Sequence, residues 1–468
     1  MIMNQSVWKN PLRPMWTNWG ARHLRQALAA VVLLAVAAQA QEREPVEVYQ
    51  SRRAALREKL KDSLIVLFGR DEGPGPDALL PFRQENNFYY LTGYNYPGAV
   101  LLLAPPLQDR RSPFWEESSR LPREILFLPP RERGHEQWTG PKPDPYDPAI
   151  ITQTGFAVVK GTEALENEIR RYAQGYPALY TLQPETMSEE TESAFAKENF
   201  EKLRAMLPFA KIREVRDALA GLREVKSEGE LKLIRRAVDC SIEAHLAAMR
   251  ETQPGQYEYQ IAALMKYTFE RAGCERPAYG PIVGSGIRST ILHYNRNSER
   301  VEPGDVLLLD VGGEYAHYAA DLTRTLPANG RFTPRQREIY EIVLGAQKAA
   351  LNAVKPGVSL ARRDPDSPYQ IAYKYINTHG KDSNGQPLGK YFTHGLSHHV
   401  GLYVHDLASS QGRLEPGMVI TIEPGIYLPE ENIGVRIEDM VLVTKDGHVL
   451  LSERLPREVE EIEKLMQK

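Results

Sequence analysis

Two hydrophobic rhythms alternate along the chain. Apolar residues fall three and four positions apart in VEVYQSRRAALREKL (46–60), GTEALENEIRRYAQ (161–174) and SEGELKLIRRAVDCSIEAHLAAMRE (227–251). The same spacing runs through EYQIAALMKYTFERAG (258–273) and TPRQREIYEIVLGAQKAALNAV (333–354). That period predicts helices with one buried face. Ser227 followed by Glu230 reads as an N-cap with a capping box, Thr333 followed by Pro334 as a second helix start, and Gly273 as a stop. Short apolar runs bounded by glycine and proline read as strands: SLIVLFG, NNFYYLTGY, AVLLLAP and EILFLPP early on, then DVLLLDVGGEYAHYAADLTRTL, MVITIEPGIYL and GVRIEDMVLVT. The order predicts an α+β chain. A smaller mixed α/β N-terminal domain spans 41–208, and a larger domain with long helices and a curved antiparallel sheet spans 209–468.

Composition narrows the class. The chain has 468 residues, more than one ordinary domain holds, with 42% hydrophobic and 25% charged residues. Its formal net charge is -3 and no block of Lys and Arg stands out, so a nucleic-acid partner is not expected. Residues 1–40 differ from the rest. They contain Lys9, Arg13, Arg22 and Arg25 and no acid, then an apolar run ending Ala38-Gln39-Ala40. This pattern predicts a signal peptide cleaved near Ala40 and an exported protein, periplasmic or secreted; an uncleaved anchor is the alternative. The basic segment is long, and Met15 is a second candidate start. Cys240 and Cys274 lie on or near helical segments and read as buried free thiols, with a single disulfide as the alternative.

Chemistry enters where charge interrupts strands. Asp310 ends the run Val306–Leu309, and Asp321 follows 11 residues later. An odd spacing would put the two on opposite faces of one continuous strand, but Gly312-Gly313 between them can reset the face. Glu423 interrupts VITIEPGIY, and Glu438 interrupts GVRIEDMVLV. Any one of these acids could simply face solvent. Four of them brought together would repel strongly without cations. Two divalent ions would neutralise them. A donor set of mostly hard oxygens suits manganese or another first-row ion better than structural zinc. Four of the chain's 11 histidines, His394, His398, His399 and His405, crowd into YFTHGLSHHVGLYVHD.

DVGGEYAHYAADLTRT, THGLSHHVGLYVHD, TIEPGIY and GVRIED, in this order, resemble the pita-bread metallopeptidases, and within them aminopeptidase P. ILHYNRN, RVEPGDVLLLD and FTPRQREIYEIVL extend the resemblance, and FRQENNFYYLTGYNYPGAVLLLAP carries it into the N-terminal part, so that most of 46–460 is covered. The resemblance implies two divalent ions per chain, manganese first with cobalt or zinc possible, held by Asp310, Asp321, His398, Glu423 and Glu438. It implies removal of the N-terminal residue from peptides with proline second, by a hydroxide shared between the ions. Glu423, His293 and His405 would be catalytic, with Glu423 as proton shuttle. His394, Tyr427 and Arg436 would contact substrate or orient the site, and His399 would be a filler. A homodimer or homotetramer is implied as well. One departure is visible: Asp439 is followed by Met440 where the family often has a second aspartate. The aromatic stretch Phe82–Pro97, with Phe88, Tyr89, Tyr90, Tyr94 and Tyr96, is read as a rim beyond the proline that favours longer peptides. The rival readings are a prolidase restricted to Xaa-Pro dipeptides, a creatinase-like hydrolase, and a metal-free binding module.

Overall fold

The computed structural model describes residues 42–72, 82–107, 113–184, 190–409 and 412–467. The expected export signal lies outside these residues. No helix among them is long and apolar enough to cross a membrane.

The first part opens with α1 (Val46–Lys59), then β1 (Ser63–Phe68), α2 (Asn86–Thr92), β2 (Val100–Leu103), β3 (Glu124–Leu128), β4 (Val159–Gly161), α3 (Leu165–Ala173), β5 (Ala178–Thr181), α4 (Glu190–Met206) and β6 (Ile212–Glu214). Its six strands form one sheet in the order β4-β3-β2-β1-β5-β6. β1, β2 and β3 pair antiparallel, and β4, β5 and β6 join in parallel. β1 is buried along its whole length, as expected of an apolar run covered on both faces.

NNFYYLTGY, expected as a strand, is the helix α2 and its C-cap. Glu85 caps it, its carboxylate accepting from Phe88 N at 2.6 Å, and Gly93 ends it in the left-handed region at φ 61°. Every residue of α2 is buried. A helix buried all round shows no polar face, so its sequence cannot be told from a buried strand. The burial takes Phe88, Tyr89 and Tyr90 out of the expected rim: they belong to the core. Tyr89 stacks on His317 at 3.8 Å, and the Tyr90 hydroxyl donates to Leu222 O.

The second part begins with α5 (Arg216–Arg223), α6 (Glu228–Glu251) and α7 (Glu258–Arg271), continues through β7 (Arg276–Pro277), β8 (Ile282–Ser285), β9 (Val306–Asp310), β10 (Gly313–Tyr315), β11 (Tyr318–Ala319), β12 (Thr323–Pro327), α8 (Pro334–Leu351) and α9 (Pro368–His379), and ends with β13 (Val419–Ile422), β14 (Gly425–Leu428), β15 (Ile433–Arg436), β16 (Asp439–Val443), β17 (His448–Leu450) and α10 (Val459–Met466). Ser227 and Thr333 form the expected capping boxes, with Glu230 and Gln336. The antiparallel sheet is built from short ladders, β8-β9-β12, β13-β16-β17, β14-β15 and β7-β10-β11, with an isolated bridge between Thr323 on β12 and Glu438 just ahead of β16. Cys240 and Cys274 are both buried and free.

The described residues from 44 to 467 form one compact unit. One set of buried side chains runs from Leu56 on α1 to Met466 on α10.

Candidate active site

The three acid-bearing runs are broken where the acids sit. DVLLLDVGGEYAHYAADLTRTL folds into four strands rather than one. Asp310 closes β9. The chain then runs out along β10, turns at Ala316 and His317 with φ 49° and 69°, and returns along β11 to Asp321. The two aspartates converge through this excursion, not through a turn at the glycines. Gly312 is needed for a different reason: a Cβ there would lie 1.9 Å from Ala320 O. Glu423 falls between β13 and β14, its N–H donating to Leu396 O at 2.9 Å. Glu438 falls between β15 and β16, its N–H donating to Thr323 O at 3.1 Å. Glu423 and Glu438 fall outside the strands, Asp310 ends the β8-β9-β12 ladder, and all turn to a common point.

That point is a cavity of about 280 Å³ lined by Asp310, Asp321, Glu423, Glu438, Arg436, His293, His394, His398 and His405. Of the residues expected at the site, Tyr427 alone does not line it. Its hydroxyl receives Arg436 Nη1 at 2.8 Å and lies 2.8 Å from His394 Nε2. His394 Nδ1 is 2.7 Å from Gly395 O and donates to it, so Nε2 is the acceptor from Tyr427. Arg436 also donates through Nη2 to Asp310 Oδ2 at 2.5 Å, so it orients that aspartate. His398 Nδ1 lies 3.2 Å from His399 O, which leaves Nε2 facing the acids. That nitrogen is 3.4 Å from Asp321 Oδ2, 3.4 Å from Glu423 Oε1 and 4.0 Å from Glu438 Oε1. His293 and His405 stand on the exposed side of the cavity. The His405 ring meets the His398 ring edge-on at 4.4 Å. None of the residues from Phe82 to Pro97 lines this cavity; Tyr94 and Tyr96 border a separate one of about 400 Å³.

The sequence reading missed Tyr279, Thr323 and Thr421. Tyr279 places one hydroxyl 2.6 Å from both Asp310 Oδ1 and Asp321 Oδ1. With one proton it can donate to only one of them. Thr323 Oγ1 donates to Glu438 Oε2 at 2.7 Å, and Thr421 Oγ1 accepts from His398 N at 3.2 Å. Neutral residues give no signal of charge in an apolar run. The Met440 departure also has a structural outcome. Its sulfur accepts the Asp321 N–H at 3.2 Å, supplying a weak acceptor behind the aspartate.

The charges do not balance. Burial first, then the charges of Asp321, Glu423 and Asp310, hold the Glu438 carboxyl well above the usual range. Glu423 is pushed up to about 7 by burial and by Asp321 and Asp310, against the opposing pull of His398 and Arg436. Asp310 is raised by burial in spite of Arg436. Burial disfavours charge on His398, but the hydrogen bond to Asp321 and the charges of Glu423 and Asp321 outweigh it and push the imidazole up to about 9. The acids therefore favour positive charge at His398, while burial and Arg436 push the His394 imidazole down to about 3. The residues fit divalent cations: hard oxygen donors and one imidazole, with ligand atoms of Asp321, His398 and Glu438 within 4.8 Å of one another.

Comparison with known proteins gives the same answer. The model of metallopeptidase family M24 matches residues 232–445, and that of the aminopeptidase P N-terminal domain matches 49–180. The Xaa-Pro aminopeptidase of Haemophilus influenzae is 32% identical over 90% of this chain and 97% of its own length. The chain belongs to the aminopeptidase P family of M24 metallopeptidases. As a member of that family it is a metal-dependent exopeptidase. The structure of aminopeptidase P from Escherichia coli with the inhibitor Pro-Leu is 31% identical, covers 91% of this chain and 99% of that one, and superposes with a TM-score of 0.77. An Xaa-Pro dipeptidase from Pyrococcus horikoshii is 39% identical, but over only 55% of this chain. The aminopeptidase P likeness takes in both parts of the molecule, and the prolidase reading is not favoured.

Proposed function

We propose that the chain is an Xaa-Pro aminopeptidase, releasing the first residue of peptides whose second residue is proline. One observation carries the reading: four carboxylates and His398 meet in a cavity whose open side is edged by His293 and His405. Asp310, Asp321, His398, Glu423 and Glu438 would hold two divalent ions, manganese by the hardness of the donors. The ions would supply Lewis acidity at the scissile carbonyl and an acidified water. Glu423 then takes the proton of the attacking water and returns it to the departing proline nitrogen. His293 and His405 stabilise negative charge on the carbonyl oxygen. Arg436 and Tyr427 hold Asp310 and His394 in place through the hydrogen bonds above. Proline offers no N–H at the scissile bond, so the site makes no use of the donor that ordinary peptidases engage. Export, supported by the basic, acid-free leader, and a dimer or tetramer belong to the same proposal.

Mass spectrometry of Xaa-Pro-Xaa, Xaa-Ala-Xaa and Xaa-Pro peptides after incubation with manganese-loaded enzyme tests it. The proline tripeptide is expected to lose its first residue, with kcat/KM roughly tenfold above that of the dipeptide. Equal cleavage of the alanine peptide, or a preference for the dipeptide, contradicts it.

A further inference from the structure

His293 lines the cavity from the connection between β8 and β9. It is exposed, and its ring makes no hydrogen bond among the described residues. Its place is set by the backbone around it, and five of the hydrogen bonds that hold that segment end on one buried carboxylate. Glu258, the first residue of α7, is fully buried. Its Oε1 accepts from Ser285 N at 2.8 Å, Ser285 Oγ at 2.8 Å and Arg288 Nε at 3.1 Å. Its Oε2 accepts from the Tyr294 hydroxyl at 2.8 Å and from Glu299 N at 3.0 Å. A carboxylate that merely caps its own helix accepts from that helix's first turn. Here all five donors lie between Ser285 and Glu299, the two ends of the segment that carries His293, and one of them is the residue next to it.

We propose that Glu258 is the positioning residue for His293, fixing the height at which that ring stands over the cavity. The inference rests on the reading of His293 as a group facing substrate. Only a carboxylate fits the post, because its two oxygens accept and never donate. Glutamine would turn an NH₂ toward donors on one side and leave part of the segment untied. Tyr294 explains how the restraint reaches His293. Its ring packs among Ile282, Leu308 and Tyr427, so its hydroxyl is aimed at Glu258 while its backbone sets the neighbouring histidine.

The test is a double-mutant cycle in kcat and KM on an Xaa-Pro-Xaa tripeptide, with manganese content and melting temperature measured for each variant. Glu258→Gln is expected to lower kcat roughly ten- to hundredfold with KM little changed, as a misplaced group does. Its manganese content should match wild type. In the His293→Ala background the same change should cost less than about twofold. Tyr294→Phe, which removes one donor and keeps the ring, should show the same dependence on His293 and serves if Glu258→Gln fails to fold. Equal effects in both backgrounds, or loss of metal from Glu258→Gln, overturn the inference alone. Wild-type turnover in His293→Ala overturns it together with the reading of His293.

Discussion

Glu438 and Asp439 are consecutive residues, 2% and 0% exposed, yet their carboxylates are neutralised to very different degrees. Asp439 accepts from Arg324 Nη2 at 2.7 Å, Ser452 Oγ at 2.6 Å and Gln347 Nε2 at 2.9 Å, with Arg457 at 3.4 Å. Glu438 has the hydroxyl of Thr323 and, 4.0 Å away, an imidazole it shares with two other acids. The first is a finished ion cluster that locks β16 to the elements packed on it. The second carboxylate has no guanidinium hydrogen-bonded to it among the described residues. A buried carboxylate without partners is costly, so the imbalance on the cavity side marks function where the balance one residue later marks stability.

The contrast can be broken from either side. If the proposed two-ion set holds, Glu438→Gln should cut turnover roughly a thousandfold or more and lower bound manganese measured by elemental analysis. The metal-free variant should melt no lower than metal-free wild type, because a repelled charge has been removed. Asp439→Ala should do the reverse, losing roughly 3–5 kcal/mol of stability in denaturant titration as Arg324 is left buried without its partner. An Asp439→Ala protein as stable as wild type would dissolve the distinction.

Glu423 sharpens it. Glu423→Gln should lower turnover roughly a hundredfold, the loss expected of a general base. In metal-free protein the sign reverses. A carboxyl raised from 4.5 to about 7 binds more protons folded than unfolded, so its contribution to stability is full below pH 4.5 and is lost as pH climbs to about 7. The melting temperature of metal-free Glu423→Gln relative to metal-free wild type should therefore climb over that window and level off above it. A gap that does not change with pH would remove the repulsion account.

The smallest effect is expected at Met440. Met440→Leu deletes the sulfur that accepts the Asp321 N–H and should weaken manganese binding by about 1 kcal/mol or less in a competition titration.

Much of this was legible in the chain and some was not, for physical reasons. The capping boxes at Ser227 and Thr333 and the 3.6-residue period placed the long helices, because both signals are local. The break at Glu438 carries no local signal, since its N–H goes to Thr323 far away in sequence, whereas the break at Glu423 is followed by Pro424, which has no N–H to give a ladder. α2 looked like a strand because it is buried on every side. The acids and histidines of the site stood out as charge in apolar surroundings and as motif. Tyr279 and Thr323, which hold those acids in place, are neutral and could be found only from coordinates.

The central claim is that the unbalanced acids of the cavity await two divalent cations. The most direct measurement is the number of manganese ions per chain after chelation, reconstitution and removal of free metal, read by elemental analysis. Close to two ions per chain, falling in Asp310→Ala and Glu438→Ala, is the expected result. A wild-type chain that retains no divalent ion and still cleaves peptide would contradict it.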